Sequence, residues 1–99
     1  MTNLELKELI AEQVCDEEEL NQIIVLEGDE FADGAVGLTI SNHLVYDYNK
    51  LVGSLMKHNE WTELEAVEWL DYNTIRSLPY MASVGNEPII INLFEKDTE

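Results

Sequence analysis

The chain has 99 residues, with 5 Lys plus Arg against 21 Asp plus Glu, a formal net charge of -16 and 45% hydrophobic residues. A second core would have too few residues to offset its own ordering entropy, so one domain over residues 1–99 is expected. The hydrophobic fraction separates it from disordered acidic tails, and the charge would be repelled by phosphate backbones and anionic membrane surfaces, which argues against direct nucleic-acid binding and membrane binding.

Thr2 and Glu5 have capping-box spacing, and Leu6, Ile10 and Val14 recur every four residues with Leu9 beside them, which predicts a first helix. Glu5, Glu8, Glu12, Asp16 and Glu19 step by three or four residues and would line carboxylates along one face if that helix continued. Acidic groups favour a helix start and oppose its end. A break is therefore expected near Cys15, with Asp16 capping a short second turn through Glu19.

Ile23-Ile24-Val25-Leu26 is a β-branched apolar run closed by Glu27-Gly28-Asp29, which predicts a strand and a turn. Residues 27–34 carry four acids and two glycines and read as a loop. A second strand over 35–40, then Ser41-Asn42, then Leu44-Val45-Tyr46, predicts a hairpin with a short connection.

Asp47 is placed to cap the next helix, where Tyr48, Leu51, Val52, Leu55 and Met56 fall on one face. His58-Asn59-Glu60 ends it. Thr62 with Glu65 forms another capping box for a last helix expected to bury Leu64, Val67, Leu70 and Thr74 or Ile75, with Pro79 limiting its length. Glu65, Glu68 and Asp71 form its acidic row. After Pro88, the apolar run over 89–94 predicts a strand covered on both faces and placed centrally. The fold class expected is α+β: a small antiparallel or mixed sheet of about four strands packed by three helices, in the order α-β-β-β-α-α-β. The tail over 95–99 is expected to fray.

Catalytic and metal chemistry find little footing. Cys15 is the lone cysteine, so neither an internal disulfide nor a thiolate zinc site is available, and the acids from Asp16 to Glu19 disfavour a reactive thiolate. His43 and His58 have no second ligand at metal spacing, no glycine-rich phosphate cradle is present, and no serine sits in a nucleophile elbow. Asp29, Asp33 and Gly34 match three positions of a calcium loop, but Phe31 and Ile40 occupy positions that need ligands, so weak divalent binding is the most such a loop would offer. No enzyme activity, cofactor or metal is expected. Trp61, Trp69, Tyr72 and Tyr80 cluster around the last helix as core residues, with Trp69 pointing partly sideways and Trp61 or Trp69 expected as the apolar anchor of an interface. Arg76, the only arginine, is expected to pair with Asp71 or another carboxylate.

Val45 to Leu51, Ala66 to Met81 and Pro88 to Ile91 together resemble small acidic proteins of phages and prophages in Gram-positive bacteria. The likeness covers roughly the C-terminal two thirds, and YNTIRSLPYM is its specific part; the first helix carries none. The resemblance brings no catalytic residue with it. It implies an accessory protein of a mobile element, working in a bacterial cytoplasm where acidic inhibitors of host defence nucleases are a known class.

The expected function is a non-enzymatic, anti-CRISPR type inhibitor that binds a basic host protein and blocks its nucleic-acid surface by mimicking DNA. The expected contact residues are Glu5, Glu8, Glu12, Asp16, Glu19, Glu65, Glu68, Trp69 and Asp71. Two other readings stay open: a homo-oligomeric structural or regulatory phage accessory module, such as a homodimer, whose acidity only solvates it, and a small-molecule sponge with a pocket around Arg76 and Tyr80.

Overall fold

Short side chains that bind backbone amides set where the helices begin. In the computed structural model, which describes residues 1–94, Thr2 and Glu5 form the expected reciprocal capping box at the start of α1, Asn3–Gln13. The 95–99 tail lies outside the described residues. Leu6, Ile10 and Val14 are buried, while Leu9 stays exposed. Val14 leaves the helix in an extended conformation. Asp16 then caps α2, Glu17–Gln22, accepting from the Glu18 amide at 2.8 Å. The helix breaks where its own acids make continuation unfavourable, so the carboxylate row from Glu5 to Glu19 is divided between two helices.

The apolar run at 23–26 is not a strand, which corrects the expected four strands to three. Ile23 makes one parallel bridge to Asn86 and the chain then leaves the ladder. Core side chains take over the backbone groups of Leu26: its amide donates to the Tyr46 hydroxyl at 3.0 Å, and its carbonyl accepts from Asn3 Nδ2 at 3.2 Å. With both groups bonded, burial of Leu26 needs no neighbouring strand. The loop expected over 27–34 contains a one-turn helix, α3, Asp29–Ala32, entered through Gly28 at φ 122 and burying Phe31 and Ala32.

β1, Ala35–Leu38, pairs antiparallel with β2, Leu44–Asp47, in the expected hairpin, with an irregularity between Ala35 and Gly37. The ladder stops at Leu38, and Ile40 stands fully in solvent at the turn. Asn42 supplies the left-handed residue (φ 68) there, a conformation asparagine tolerates better than most. Asp47 caps α4, Tyr48–Asn59, through the Lys50 amide, and α4 turns Leu51, Val52, Ser54 and Leu55 inward. Gly34 allows α4 to come close, because a Cβ there would lie 2.6 Å from Leu51 Cδ2.

Glu60 ends α4 in the left-handed region (φ 56), and the Trp61 amide closes onto the Met56 carbonyl at 3.1 Å. α5, Glu63–Trp69, follows, and the chain continues through a π-helical turn, Leu70–Thr74, and a 3-10 turn, Ile75–Ser77, into α6, Leu78–Ala82. Pro79 therefore does not end the helical path. It falls in the first turn of α6, where a missing amide costs little. Leu64 is 66% exposed and not part of the core; Ala66, Leu70 and Thr74, four residues apart, take the buried face. A methyl side chain at 66 suits the close contact of α4 with α5.

β3, Ile89–Ile91, pairs parallel with β2, Val45 opposite Ile89 and Asp47 opposite Ile91. The sheet order is β1-β2-β3, so β3 is an edge strand, half-buried rather than central and doubly covered. A parallel return requires a long crossover, supplied here by α4 to α6. The fold is α+β with a mixed three-stranded sheet, in the order α-α-α-β-β-α-α-α-β with the π and 3-10 turns before α6. Among the described residues, thirteen buried apolar residues, from Leu6 to Leu70, form the core.

Tyr46 is fully buried, and burial pushes its phenol up to about 12, with Glu27 adding to the rise and the Leu26 amide opposing it. A tyrosine in the unfolded chain ionises near pH 10. The folded state thus holds its proton longer, so this stabilisation is complete below about pH 10 and is lost as pH rises towards about 12. Urea unfolding should show a decline of roughly 2–3 kcal/mol from this group across that window. Tyr46→Phe should lack that component while costing about 1–3 kcal/mol at neutral pH, because the Leu26 amide loses its acceptor. Parallel pH profiles for the two proteins would contradict this assignment.

Candidate functional site

A wide, shallow surface groove lies along α5 and the π turn. The left-handed exit at Glu60 brings Trp61 back beside Trp69, whose ring centroids are 5.9 Å apart at 44°. Trp69 in turn lies 6.0 Å from the buried Phe31 ring. The two indoles are half-buried and lean on the core, so they form a fixed apolar base. Exposed Glu65, Glu68 and Asp71 border it, and Tyr72, Asn73 and Arg76 close one end, around a volume of about 670 Å³.

The π turn shapes that end. Widening the helix by one residue per turn turns later side chains to new directions, and local polar side chains bond the carbonyls involved. Asn73 Nδ2 donates to the Trp69 carbonyl at 3.0 Å, and Ser77 Oγ donates to the Asn73 carbonyl at 2.6 Å. Tyr72 is left 67% exposed. The Arg76 guanidinium sits over its ring, 4.6 Å from the centroid. The expected Arg76–Asp71 ion pair is not formed: among the described residues no carboxylate comes within 4.0 Å of the guanidinium, which stacks on Tyr72 instead. Tyr72 and Tyr80 are also not core, and Tyr80 does not line the groove, so the pocket expected around Arg76 and Tyr80 is built on Tyr72.

The groove gathers Glu65, Glu68, Trp69 and Asp71 and does not include Glu5, Glu8, Glu12, Asp16 or Glu19. Eight of these nine are exposed, and Trp69 is half-buried. They are not equivalent. Glu5 and Glu65 each use Oε1 to hold a helix-capping amide, of Thr2 at 2.8 Å and Thr62 at 2.9 Å. Asp16 caps α2, and Glu19 accepts from Asn42 Nδ2 at 3.2 Å, tying α2 to the hairpin turn. Glu8, Glu12, Glu68 and Asp71 make no hydrogen bond or ion pair among the described residues. Asp71 acts at a distance on Tyr48, whose phenol is raised above its ordinary value by burial and then by the carboxylates of Asp71 and Glu63.

Two carboxylates of the acidic turn at 27–34 are used within the fold. Asp29 Oδ1 accepts from the Asn3 amide at 2.8 Å, and Asp33 bridges the Met1 ammonium at 2.6 Å and His58 Nε2 at 3.8 Å. The hydrogen bond from that ammonium is the main cause holding Asp33 below the usual carboxylate range. Among the described residues no three His, Cys, Asp or Glu side chains converge in a metal-binding group. Among the described residues, no helix is long and apolar enough to cross a membrane.

Sequence reasoning placed Tyr72 in the core and paired Arg76 with Asp71, whereas both line the groove with Trp61. Their signal was the aromatic clustering around α5, but their joint placement depends on the Glu60 turn and the π turn, neither of which has a local sequence signature here. Comparison with family models, curated proteins and solved structures finds no match to this chain.

Thr62 sets the start of the element that carries the groove. Thr62→Ala removes the acceptor of the Glu65 amide, 3.2 Å away, and should cost about 0.5–2 kcal/mol in urea unfolding. Because Trp61 adjoins the cap, tryptophan emission of the folded protein should shift with it. An unchanged midpoint and spectrum would show that the cap does not hold this end of α5.

Proposed function

We propose that this chain is a non-enzymatic binding protein that covers a basic, nucleic-acid-binding surface of another protein by presenting carboxylates where phosphates would lie. In the fullest form of this reading it is a phage or prophage anti-defence factor of the anti-CRISPR type, acting in the bacterial cytoplasm on a host nuclease. The observation that carries it is a net charge of -16 on a folded body whose Glu8, Glu12, Glu68 and Asp71 are exposed and without partners among the described residues.

Physical chemistry supports the reading in three ways. Carboxylates three or four residues apart on a helix are separated by about 4.5 to 6 Å along its axis, an interval that side chains arranged for a phosphate ladder can engage. The summed field attracts a cationic surface over long range and speeds encounter. The indole base of the groove supplies the apolar anchor that charge alone lacks. The phage setting rests on the resemblance of the YNTIRSLPYM segment.

A second reading is favoured by the exposure of Leu64 in α5, Tyr72 in the π turn, Tyr80 in α6 and Val84 just after it: a homo-oligomeric accessory module. Self-repulsion of the acidic chain opposes it, and light scattering separates the two, since a stable dimer supports self-association.

The test of the main reading is displacement of labelled DNA from basic nucleases captured from a Gram-positive host, in rising salt. Displacement should weaken steeply with salt. Reversing Glu8 and Glu12 together, or Glu68 and Asp71 together, should slow association by about 10-fold at low salt. Binding indifferent to both salt and charge reversal would rule out phosphate mimicry.

A further inference from the structure

The groove beside the π turn has the chemistry of a receptor for one particular side chain. Its base is the half-buried Trp61 and Trp69 indoles, the ring type that partners a cation best, and among the described residues neither has a cation stacked on it. Beside them stand Glu68 and Asp71, exposed and without a hydrogen-bond partner. The protein's own Arg76 already lies on Tyr72 at the groove's end, 4.6 Å from the ring centroid. Tyr72, at the end of the groove, thus already carries a guanidinium in the folded state, whereas the two indoles carry none.

We propose that the groove receives one arginine side chain of a basic protein partner, its planar guanidinium against the Trp61 and Trp69 indoles and its N–H donors directed to Glu68 and Asp71. The inference rests on the reading of the chain as a binder of basic protein surfaces and names the residue type that this surface must offer. Arginine fits better than lysine for physical reasons. Its head is flat, weakly hydrated and forked, so it can stack on a ring and bond a carboxylate at once, whereas an ammonium is compact and strongly hydrated. The local charge excludes phosphate and carboxylate ligands. A second copy of the chain is a poor donor, because its only arginine is Arg76, which is seated on Tyr72. Arg76 also limits occupancy to one cation, since a further guanidinium at that end would meet like charge.

The test uses the full chain and two capped, lysine-rich peptides that differ only at the centre, one carrying arginine and the other lysine. Both tryptophans of the protein line the groove, so their emission reports this site. The arginine peptide should bind about 3- to 10-fold more tightly, change tryptophan emission and shift both indole N–H resonances. Two double variants with equal charge loss locate the effect. Glu68→Gln with Asp71→Asn should abolish the arginine preference, while Glu8→Gln with Glu12→Gln on α1 should keep it and weaken both peptides alike. All four side chains are exposed, so folding is not at stake. Equal affinity for the two peptides, or a preference that survives Glu68→Gln with Asp71→Asn, overturns the arginine site and leaves the displacement assay to judge the broader reading. Failure of both peptides to bind also overturns the site.

Discussion

The architecture depends on β2, four residues that must be bonded on both sides at once. It is the strand with a partner along each edge, antiparallel to β1 and parallel to β3. Its last two residues reach further. Tyr46, fully buried, offers its hydroxyl to the Leu26 amide and so fixes the segment that leads from α2 to α3. Asp47, also buried, caps α4 with one carboxylate oxygen, receives the Leu93 amide at 3.4 Å on the other, and donates its own amide to the Gly34 carbonyl at 2.8 Å. A buried carboxylate is tolerable only when amides surround it. That requirement draws the start of α4, the exit of β3 and the turn before β1 to one place.

The parts of the fold legible in the sequence are those set by short-range bonds. Thr2 with Glu5, Asp16, Asp47 and Thr62 with Glu65 each marked a helix start, because a cap and the amide it binds lie within three residues of one another. The hairpin was legible for the same reason. What the sequence did not disclose was decided by distant groups. The run at 23–26 looks like a strand by composition, yet its ladder partners are replaced by Tyr46 and Asn3 side chains from elsewhere in the chain. Three consecutive isoleucines suggested a doubly covered central strand, but β3 lies at an edge and each is half-buried. Leu64 lost its expected place because the close approach of α4 and α5 favoured Ala66, a matter of helix packing that hydrophobic spacing alone does not carry.

The candidate site shows the same division. Which residues were acidic and exposed could be read directly, but not which carboxylates were already engaged. Glu65 and Glu68 are indistinguishable by spacing, yet one closes a capping box and the other has no partner among the described residues. Arg76 was assigned to Asp71 on charge alone, although residues five apart do not share a face of an α-helix. The guanidinium takes the face of Tyr72, four residues before it, instead.

An acidic surface of this kind has an energetic cost. Like charges on a compact body repel one another, and the repulsion is relieved by unfolding. The fold offsets part of it by spending carboxylates as helix caps and turn anchors, as Glu5, Asp16, Glu19, Asp29 and Asp33 show. Glu8, Glu12, Glu68 and Asp71 return nothing of the kind, and with them the strain of excess charge stays in the free protein. In the proposed role that strain becomes useful by linkage. A cationic partner that binds only the folded chain neutralises the field and stabilises the fold by RT ln(1 + [L]/Kd), so relief of self-repulsion adds to affinity. The same linkage sets the character of the complex: long-range attraction that salt screens, and a smaller, salt-resistant part held by the indoles of Trp61 and Trp69. Specificity would then reside in the groove, and speed in the carboxylates around it.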